Sequence, residues 1–304
     1  MPDQDGMNYR QSGWDRILVV GADSLIGAGL VSFLERLGAD VTGTSRRKET
    51  ANDRRLYLDL SNEDAMVLPE GRYDCIFLCA GITALVDCES DPRGAYRVNV
   101  TNMLRLAERF HGNGSRIVFL SSNAVFDGKS VRPDEHSAYC ASTEYGRQKA
   151  LAENGLKALA GGSGLIAIVR LTKVLSSVSG IAAEFLAQLK DGKPCRALDD
   201  LLISPVSLEY VMSVLVEIAL KKLSGVFHIS GAEEMSYAEF ACRLAVYMNI
   251  DPSLVRRCSS ADVGLITRFQ PEYPALGMTR TIQLLGIGPL PFAQLLDNLF
   301  LRND

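Results

Sequence analysis

The sequence predicts an α/β protein, a doubly wound parallel sheet with a smaller, mostly helical C-terminal lobe. Three observations lead there. From Arg16 to Leu171, short apolar runs alternate with segments of helical period. A glycine turn, Gly21 to Gly27, joins the first apolar run to the first helical segment. After Leu171 the alternation gives way to helical patterns. The 304 residues are 47% hydrophobic and 22% charged, which supplies a large core and excludes a disordered chain.

Each element has its own signal. Arg16–Val20 is an apolar run ending at a glycine, a buried strand. Ser24–Leu37 has apolar residues at helical spacing, with Gly38 as its stop. Asp40–Thr44 and Arg55–Asp59 read as the next two strands. Ser61 with Asp64 resembles a capping box ahead of a short helix. Tyr73–Cys79 is a buried strand, Pro92–His111 a long amphipathic helix, Arg116–Ser121 a strand, Thr143–Leu159 a helix and Leu165–Leu171 a strand. Right-handed crossovers between such strands place helices on both faces of one sheet. Later, Ile181–Lys190, Ser207–Leu220, Ser236–Met248 and Pro291–Leu301 read as helices, with a lone strand at Val226–Ile229. Ser236 and Glu239 form a second capping box. The expected division is a sheet domain of residues 16–171 plus 204–230 and a substrate lobe of 172–203 plus 231–304, after a disordered lead-in of 1–15. A cleft at the carboxyl edge of the sheet is the expected ligand site.

Composition narrows the function classes. A net charge of −4, from 32 basic and 36 acidic residues, argues against a nucleic-acid binder. No apolar run approaches the roughly 18 to 20 residues of a membrane-spanning helix. The polar N-terminus lacks the apolar core of a secretory signal. Seven cysteines without a CxxC pair read as reduced thiols, which suits the cytoplasm. The three histidines, His111, His136 and His228, lie far apart, so no metal centre is expected. His228 falls inside an apolar strand and reads as structural.

Glycines in the first turn let the chain reverse tightly and let a pyrophosphate approach helix N-terminal amides. Gly21, Ser24, Leu25, Ile26 and Gly27 are therefore expected to hold a dinucleotide. Ser24 stands where a glycine is usual; its side chain either points away from the phosphates or donates to them, or it marks a weakened site. After the second strand come Ser45, Arg46 and Arg47. A guanidinium binds a 2′-phosphate bidentately, which favours NADP(H), with NAD(H) the alternative. The competing reading is a solvated loop charge. Asp59 and Leu60, at the end of the third strand, either contact the adenine or lead into a turn.

Tyr145 and Lys149 are four residues apart and share one helical face. A free phenol titrates near pH 10, about three units too high for neutral acid–base work, and a neighbouring ammonium stabilises its phenolate. Ser122 ends an apolar strand and could hold a substrate carbonyl beside Tyr145. Asn99, in the preceding helix, could support a water or backbone relay.

With these pieces in order, the sequence resembles the extended short-chain dehydrogenase/reductase superfamily, in the branch containing dTDP-4-dehydrorhamnose reductase. The resemblance runs from about Arg16 to Gly288. It rests on the glycine turn, on Asp59 and Leu60, on Cys79, Ala80, Gly81 and Thr83, and on Asn99. The stretch Ser121 to Gly128, then Tyr145 with Lys149, and Val226 to Gly231 complete it. The resemblance implies a Rossmann-type sheet domain and a nucleotide-sugar substrate, and helix-mediated homodimers are common in the superfamily. It also implies that Tyr145 protonates a ketone oxygen, that Lys149 tunes Tyr145 and holds the nicotinamide ribose, and that Ser122 orients the carbonyl. Ser121 falls among the cofactor residues, and Asn123, Thr172 and Lys173 among the substrate residues.

The departures are Ser24 for the second glycine, Asn123-Ala124 for an Asp-Tyr pair at the sugar site, and Lys173 for an aromatic residue. The leading expectation is an NADP(H)-dependent reductase of a 4-keto-6-deoxy nucleotide sugar. The absence of an Asp-Glu pair after Ser122 counts against a dehydratase. An epimerase, and a cofactor-binding regulatory subunit without turnover, are the alternatives.

Overall fold

The computed structural model describes residues 16–62, 69–264 and 269–300. The lead-in of 1–15, Asp64 of the first capping box, and Leu301 at the end of the last helix lie outside them.

The first half builds the sheet. Strands β1 (Arg16–Val20), β2 (Asp40–Ser45), β3 (Arg55–Tyr57), β4 (Cys75–Leu78), β5 (Arg116–Ser122) and β6 (Ile166–Leu171) join β11 (Gly225–Ile229) in a seven-stranded parallel sheet. Its order is β11-β6-β5-β4-β1-β2-β3, so the chain starts near the middle and winds outward in both directions. In β1, Ile17 pairs with Val41 on one side and Cys75 on the other. Ile17 to Val20 are all fully buried, which explains a continuous apolar run rather than an alternating one. The strand read as lone, Val226–Ile229, is the edge strand of this sheet beside β6. Its pairing partner is distant in sequence, so the local pattern could not show it.

Helices α1 (Leu25–Arg36), α4 (Asn102–Gly112) and α5 (Glu144–Ala160) carry the predicted apolar faces. Leu106 and Phe110 of α4 and Leu156 of α5 pack with Leu18, Ile76 and Phe119 of the strands in one core cluster. Fully burying each such side chain contributes about 1.5–3 kcal/mol. The single helix expected over Pro92–His111 is three segments: α3 (Pro92–Tyr96), a π-helical stretch Arg97–Thr101, and α4. The π stretch buries Val98, Asn99 and Val100. A further short helix, α2 (Leu85–Ser90), was not expected; at six residues it is too short to show a period.

The chain forms two compact units. The first comprises the described residues up to Ser121, with Glu144–Val169 and Met212–Val226. The second comprises Ser122–Thr143, Arg170–Val211 and the described residues from Phe227 onward. Helices α6 (Ile181–Lys190), α8 (Tyr237–Tyr247) and α10 (Phe292–Phe300) give the second unit its core, where the Phe240 ring lies 6.4 Å from Phe185 and 6.2 Å from Phe292. The capping residue of α8 is as read: Ser236 Oγ accepts the Glu239 amide at 3.1 Å. This unit is less purely helical than expected. It holds short pairs: β7 (Lys173–Leu175) with β10 (Pro205–Ser207), β8 (Cys195–Leu198) with β13 (Val255–Cys258), and β9 (Leu202–Ile203) with β12 (Met235–Ser236). These strands lack both the regular spacing between helices that marks β3 and β4 and enough alternation of their own to be read from sequence.

His228 is fully buried in the second unit. Its Nδ1 lies 2.7 Å from the Gly277 carbonyl and must donate to it, so Nε2 accepts from Arg170 Nη1 at 3.2 Å. The Arg170 guanidinium is itself sandwiched 5.1 Å from the rings of Phe126 and Tyr139. Burial, and then this cation, push the His228 pKa down to about 3. No helix among the described residues is long and apolar enough to cross a membrane.

Candidate active site

The glycine turn is built for close backbone approach. Gly21 has φ 87°, and a Cβ there would lie 2.7 Å from the Ala80 backbone. A Cβ on Gly27 would lie 2.1 Å from the Gly21 carbonyl oxygen. Both glycines are thus fixed by the protein's own packing. Ser24 is the N-cap of α1: its Oγ donates to the Gly21 carbonyl at 2.8 Å and accepts the Gly27 amide at 3.1 Å. The hydroxyl therefore closes the turn on itself. The amides of Leu25 and Ile26, in the first turn of α1, have no intrahelical acceptor and fit an anionic group.

Behind β2, Ser45 is buried while Arg46 and Arg47 are exposed. Arg47 does not stand as an isolated loop cation. Its Nη2 lies 2.9 Å from Asp23 Oδ1, and Arg55 Nη1 lies 3.2 Å from the same oxygen. Ser45 Oγ donates to the other Asp23 oxygen. The hydrogen bond from Arg47 leads in holding the Asp23 carboxyl below its ordinary range. Asp59 Oδ1 accepts both the amide of Ser61 at 2.9 Å and its hydroxyl at 2.7 Å, the turn role of the two left open. Leu60 is buried, and its carbonyl accepts from Asn102 Nδ2 at 2.9 Å.

After β4 the chain passes through Cys79, Ala80 and Gly81 to the exposed Thr83. Burial pushes the Cys79 thiol far up, so it is no nucleophile. The buried Asn99 ties this segment down. Its Oδ1 accepts the Ile82 amide at 2.8 Å, and its Nδ2 donates to the Ile82 carbonyl at 2.9 Å and to Gln148 Oε1 at 2.8 Å. Gln148 Nε2 passes the chain on to Glu144 Oε1 at 2.9 Å. The π stretch turns Asn99 inward toward α5, a common use of such bulges. A Cβ on Gly81 would sit 3.0 Å from Asn99 Oδ1 and 3.9 Å from Lys149 Nζ, so the space in front of these groups is kept clear of side chain.

Tyr145 and Lys149 lie on the buried face of α5, with the ammonium 5.9 Å from the phenol ring centre. Lys149 Nζ donates to the Leu120 carbonyl at 2.9 Å and lies 4.5 Å from the Phe119 ring centre. Burial lowers its pKa to about 8, opposed by the nearby Glu153 carboxylate. Ser121 Oγ donates to Glu153 Oε1 at 2.5 Å, so that hydroxyl is spoken for inside the protein. Gln148 and Glu153 were not singled out in the sequence. The signal was there: residues 145, 148, 149 and 153 share the helix face that otherwise packs in the core.

In the second unit, Ser122 closes β5 and begins a 3-10 turn, its Oγ accepting the Ala124 amide at 3.1 Å. Asn123 Nδ2 donates to the Pro274 carbonyl at 3.0 Å. Thr172 is buried and its Oγ1 has no hydrogen-bond partner, while the exposed Lys173 places its Nζ 5.9 Å from the Tyr237 ring centre. A cavity of about 260 Å³ in the first unit, lined by Ala22, Val31, Gly43, Thr50, Arg54 and Arg55 among others, includes neither Tyr145 nor Lys149.

Comparison with known proteins gives these pieces a common frame. The chain is 28% identical over 265 residues to the dTDP-4-keto-6-deoxy-D-glucose reductase of Streptomyces niveus, covering 86% of this chain and 88% of that one. It is 26% identical over 285 residues to the methionine adenosyltransferase 2 subunit beta of Xenopus tropicalis, covering 90% and 83%. Its fold matches the dTDP-4-dehydrorhamnose reductase of Bacillus anthracis, solved in complex with NADP, with a TM-score of 0.79 at 20% identity over 95% of this chain and 99% of that one. The family model described as the RmlD substrate binding domain matches residues 15–302, and the chain belongs to that family.

Proposed function

We propose that this protein is an oxidoreductase that reduces a keto group on a nucleotide sugar, with a 4-keto-6-deoxy sugar as substrate. NADP(H) is the preferred cofactor and NAD(H) an accepted one. The observation that carries the reading is Lys149: a cation buried at a cost, anchored to the Leu120 carbonyl beside the ring of Tyr145. Burial disfavours such a charge, and perturbed groups of this kind concentrate at functional sites. The Streptomyces relative and the NADP-bound Bacillus neighbour support the substrate and cofactor class.

Bound at the glycine turn, the nicotinamide dinucleotide would supply the hydride. The Leu25 and Ile26 amides would hold its pyrophosphate. Tyr145 holds, at its phenol oxygen, the proton that the carbonyl oxygen takes up as it becomes an alkoxide. Lys149 stabilises the phenolate that remains and lowers the cost of that transfer. Ser122 orients the carbonyl through its hydroxyl. Asn99, fixed by Gln148 and the Ile82 backbone, keeps the segment around Gly81 in place.

A second reading is a cofactor-binding regulatory subunit; the Xenopus relative is named as a subunit of methionine adenosyltransferase 2. It draws on Asn123, whose amide is engaged with Pro274, and on Ala124, which adds no polar group to the sugar side. One experiment separates the two. The pure protein is incubated with NADPH or NADH and a panel of dTDP-, UDP- and GDP-keto sugars while reduced cofactor is followed. Consumption with any of them supports the reductase; no consumption, together with a stable protein partner in pull-down, supports the regulatory subunit.

A further inference from the structure

The loop after β2 is where a chain of this fold class places an acid for the adenosine ribose, or an arginine for its 2′-phosphate. Ser45, Arg46 and Arg47 offer no acid there. The structure supplies one from the glycine turn. The Asp23 carboxylate accepts from Arg47 Nη2 at 2.9 Å and Nε at 3.3 Å, from Arg55 Nη1 at 3.2 Å, and from the Ser45 hydroxyl. Ser45 Oγ in turn accepts the Arg47 amide and the Thr50 hydroxyl, each at 3.0 Å. The loop is therefore organised around one carboxylate that engages the face of Arg47 a phosphate would use.

We propose that Asp23 determines how far the protein discriminates between NADP(H) and NAD(H). The assignment rests on the cofactor reading above. With NAD(H), the carboxylate is free to accept from a ribose hydroxyl while it keeps its arginines. With NADP(H), the 2′-phosphate competes with Asp23 for Arg47 and meets a like charge. The Arg47 and Asp23 side chains are 54% and 23% exposed, and an ion pair this open to water is weak. The phosphate can displace it, so Asp23 narrows the preference for NADP(H) rather than abolishing it. The exposed Arg46 adds charge to the same loop.

Binding of NADPH and NADH to the purified protein, measured by calorimetry without substrate, tests this. Asp23→Asn keeps the shape of the turn and removes the charge. It is expected to tighten NADPH by about tenfold and to leave NADH unchanged or weaker. Asp23→Ser is a second variant that removes the charge, with the same direction expected. Arg47→Gln should weaken NADPH more in the Asp23→Asn background than in the wild type, because the arginine is then released for phosphate. An unchanged NADPH to NADH ratio in both Asp23 variants overturns the assignment and leaves cofactor binding standing. Failure of the wild-type protein to bind either dinucleotide overturns the cofactor reading, and this assignment with it.

Discussion

Lys149, on which the proposed chemistry turns, is held at a cost to its fold. Its pKa of about 8, against 10.5 for a free lysine, means that burial disfavours the cation. Between those values the unfolded chain holds a proton that the native one has lost, so this residue's contribution to stability rises as pH increases from about 8 to 10.5. Below pH 8 both states are charged and the full penalty stands. Lys149→Met removes it at similar volume. The variant is expected to be more stable at pH 7 by about 1–3 kcal/mol in chemical denaturation, and to be inactive. A less stable variant would show that the Leu120 hydrogen bond outweighs desolvation. Lys149 was legible because its partner stands four residues away. Asp23 was not, because its partners Arg47 and Arg55 meet it only once β2 and β3 are laid beside the glycine turn.

At the scale of elements, the π stretch Arg97–Thr101 joins fold and site. It interrupts what the sequence offers as one amphipathic helix, since a single-turn bulge barely disturbs the apolar spacing on either side. Its consequence is the inward Asn99, which satisfies both backbone polar groups of Ile82 and the Gln148 side chain. Asn99→Ala removes the partner of the Ile82 amide and of Gln148 Oε1, while the Ile82 carbonyl keeps Cys88 Sγ at 3.4 Å, and is expected to destabilise the protein by about 2–3 kcal/mol. Asn99→Asp keeps the acceptor for the Ile82 amide but sets a carboxylate oxygen against the Ile82 carbonyl and Gln148 Oε1, both acceptors, so it is not expected to recover that loss in thermal denaturation. Equal stability of all three proteins would remove Asn99 as the tie between the Gly81 segment and α5. The strands of the first half were legible as short apolar runs, and the long helices because each repeats its period several times. The six-residue α2 and the short paired strands of the second unit do not, and tertiary contacts define them.

For the whole molecule, the doubly wound sheet follows from the alternating pattern, while β11 reaches its edge only through a contact no local window contains. That strand also brings in His228. Its pKa of about 3, against 6.5 when free, means that the unfolded chain binds a proton between those values and the native one does not. His228 therefore contributes stability that is present above about pH 6.5 and lost as pH falls toward 3. The proton uptake on unfolding at pH 5 should fall by nearly one in a His228→Gln variant that remains folded, measured as the slope of stability against pH. An unchanged slope would place the acid sensitivity in other groups. The candidate site was legible as a set of residue types in order. The pairing that ties up Ser121, Ser24 and Arg47 within the protein was not, because each pairing depends on a neighbour's exact rotamer.

The central claim is that the phenol of Tyr145, beside a buried cation, delivers the proton in a carbonyl reduction. The most direct measurement compares wild type and Tyr145→Phe for NADPH binding and for NADPH oxidation on a 4-keto-6-deoxy nucleotide sugar turned over by the wild type. The account predicts intact cofactor binding with turnover lower by about two to four orders of magnitude, the usual contribution of a positioned general acid. Turnover equal to that of the wild type would contradict it.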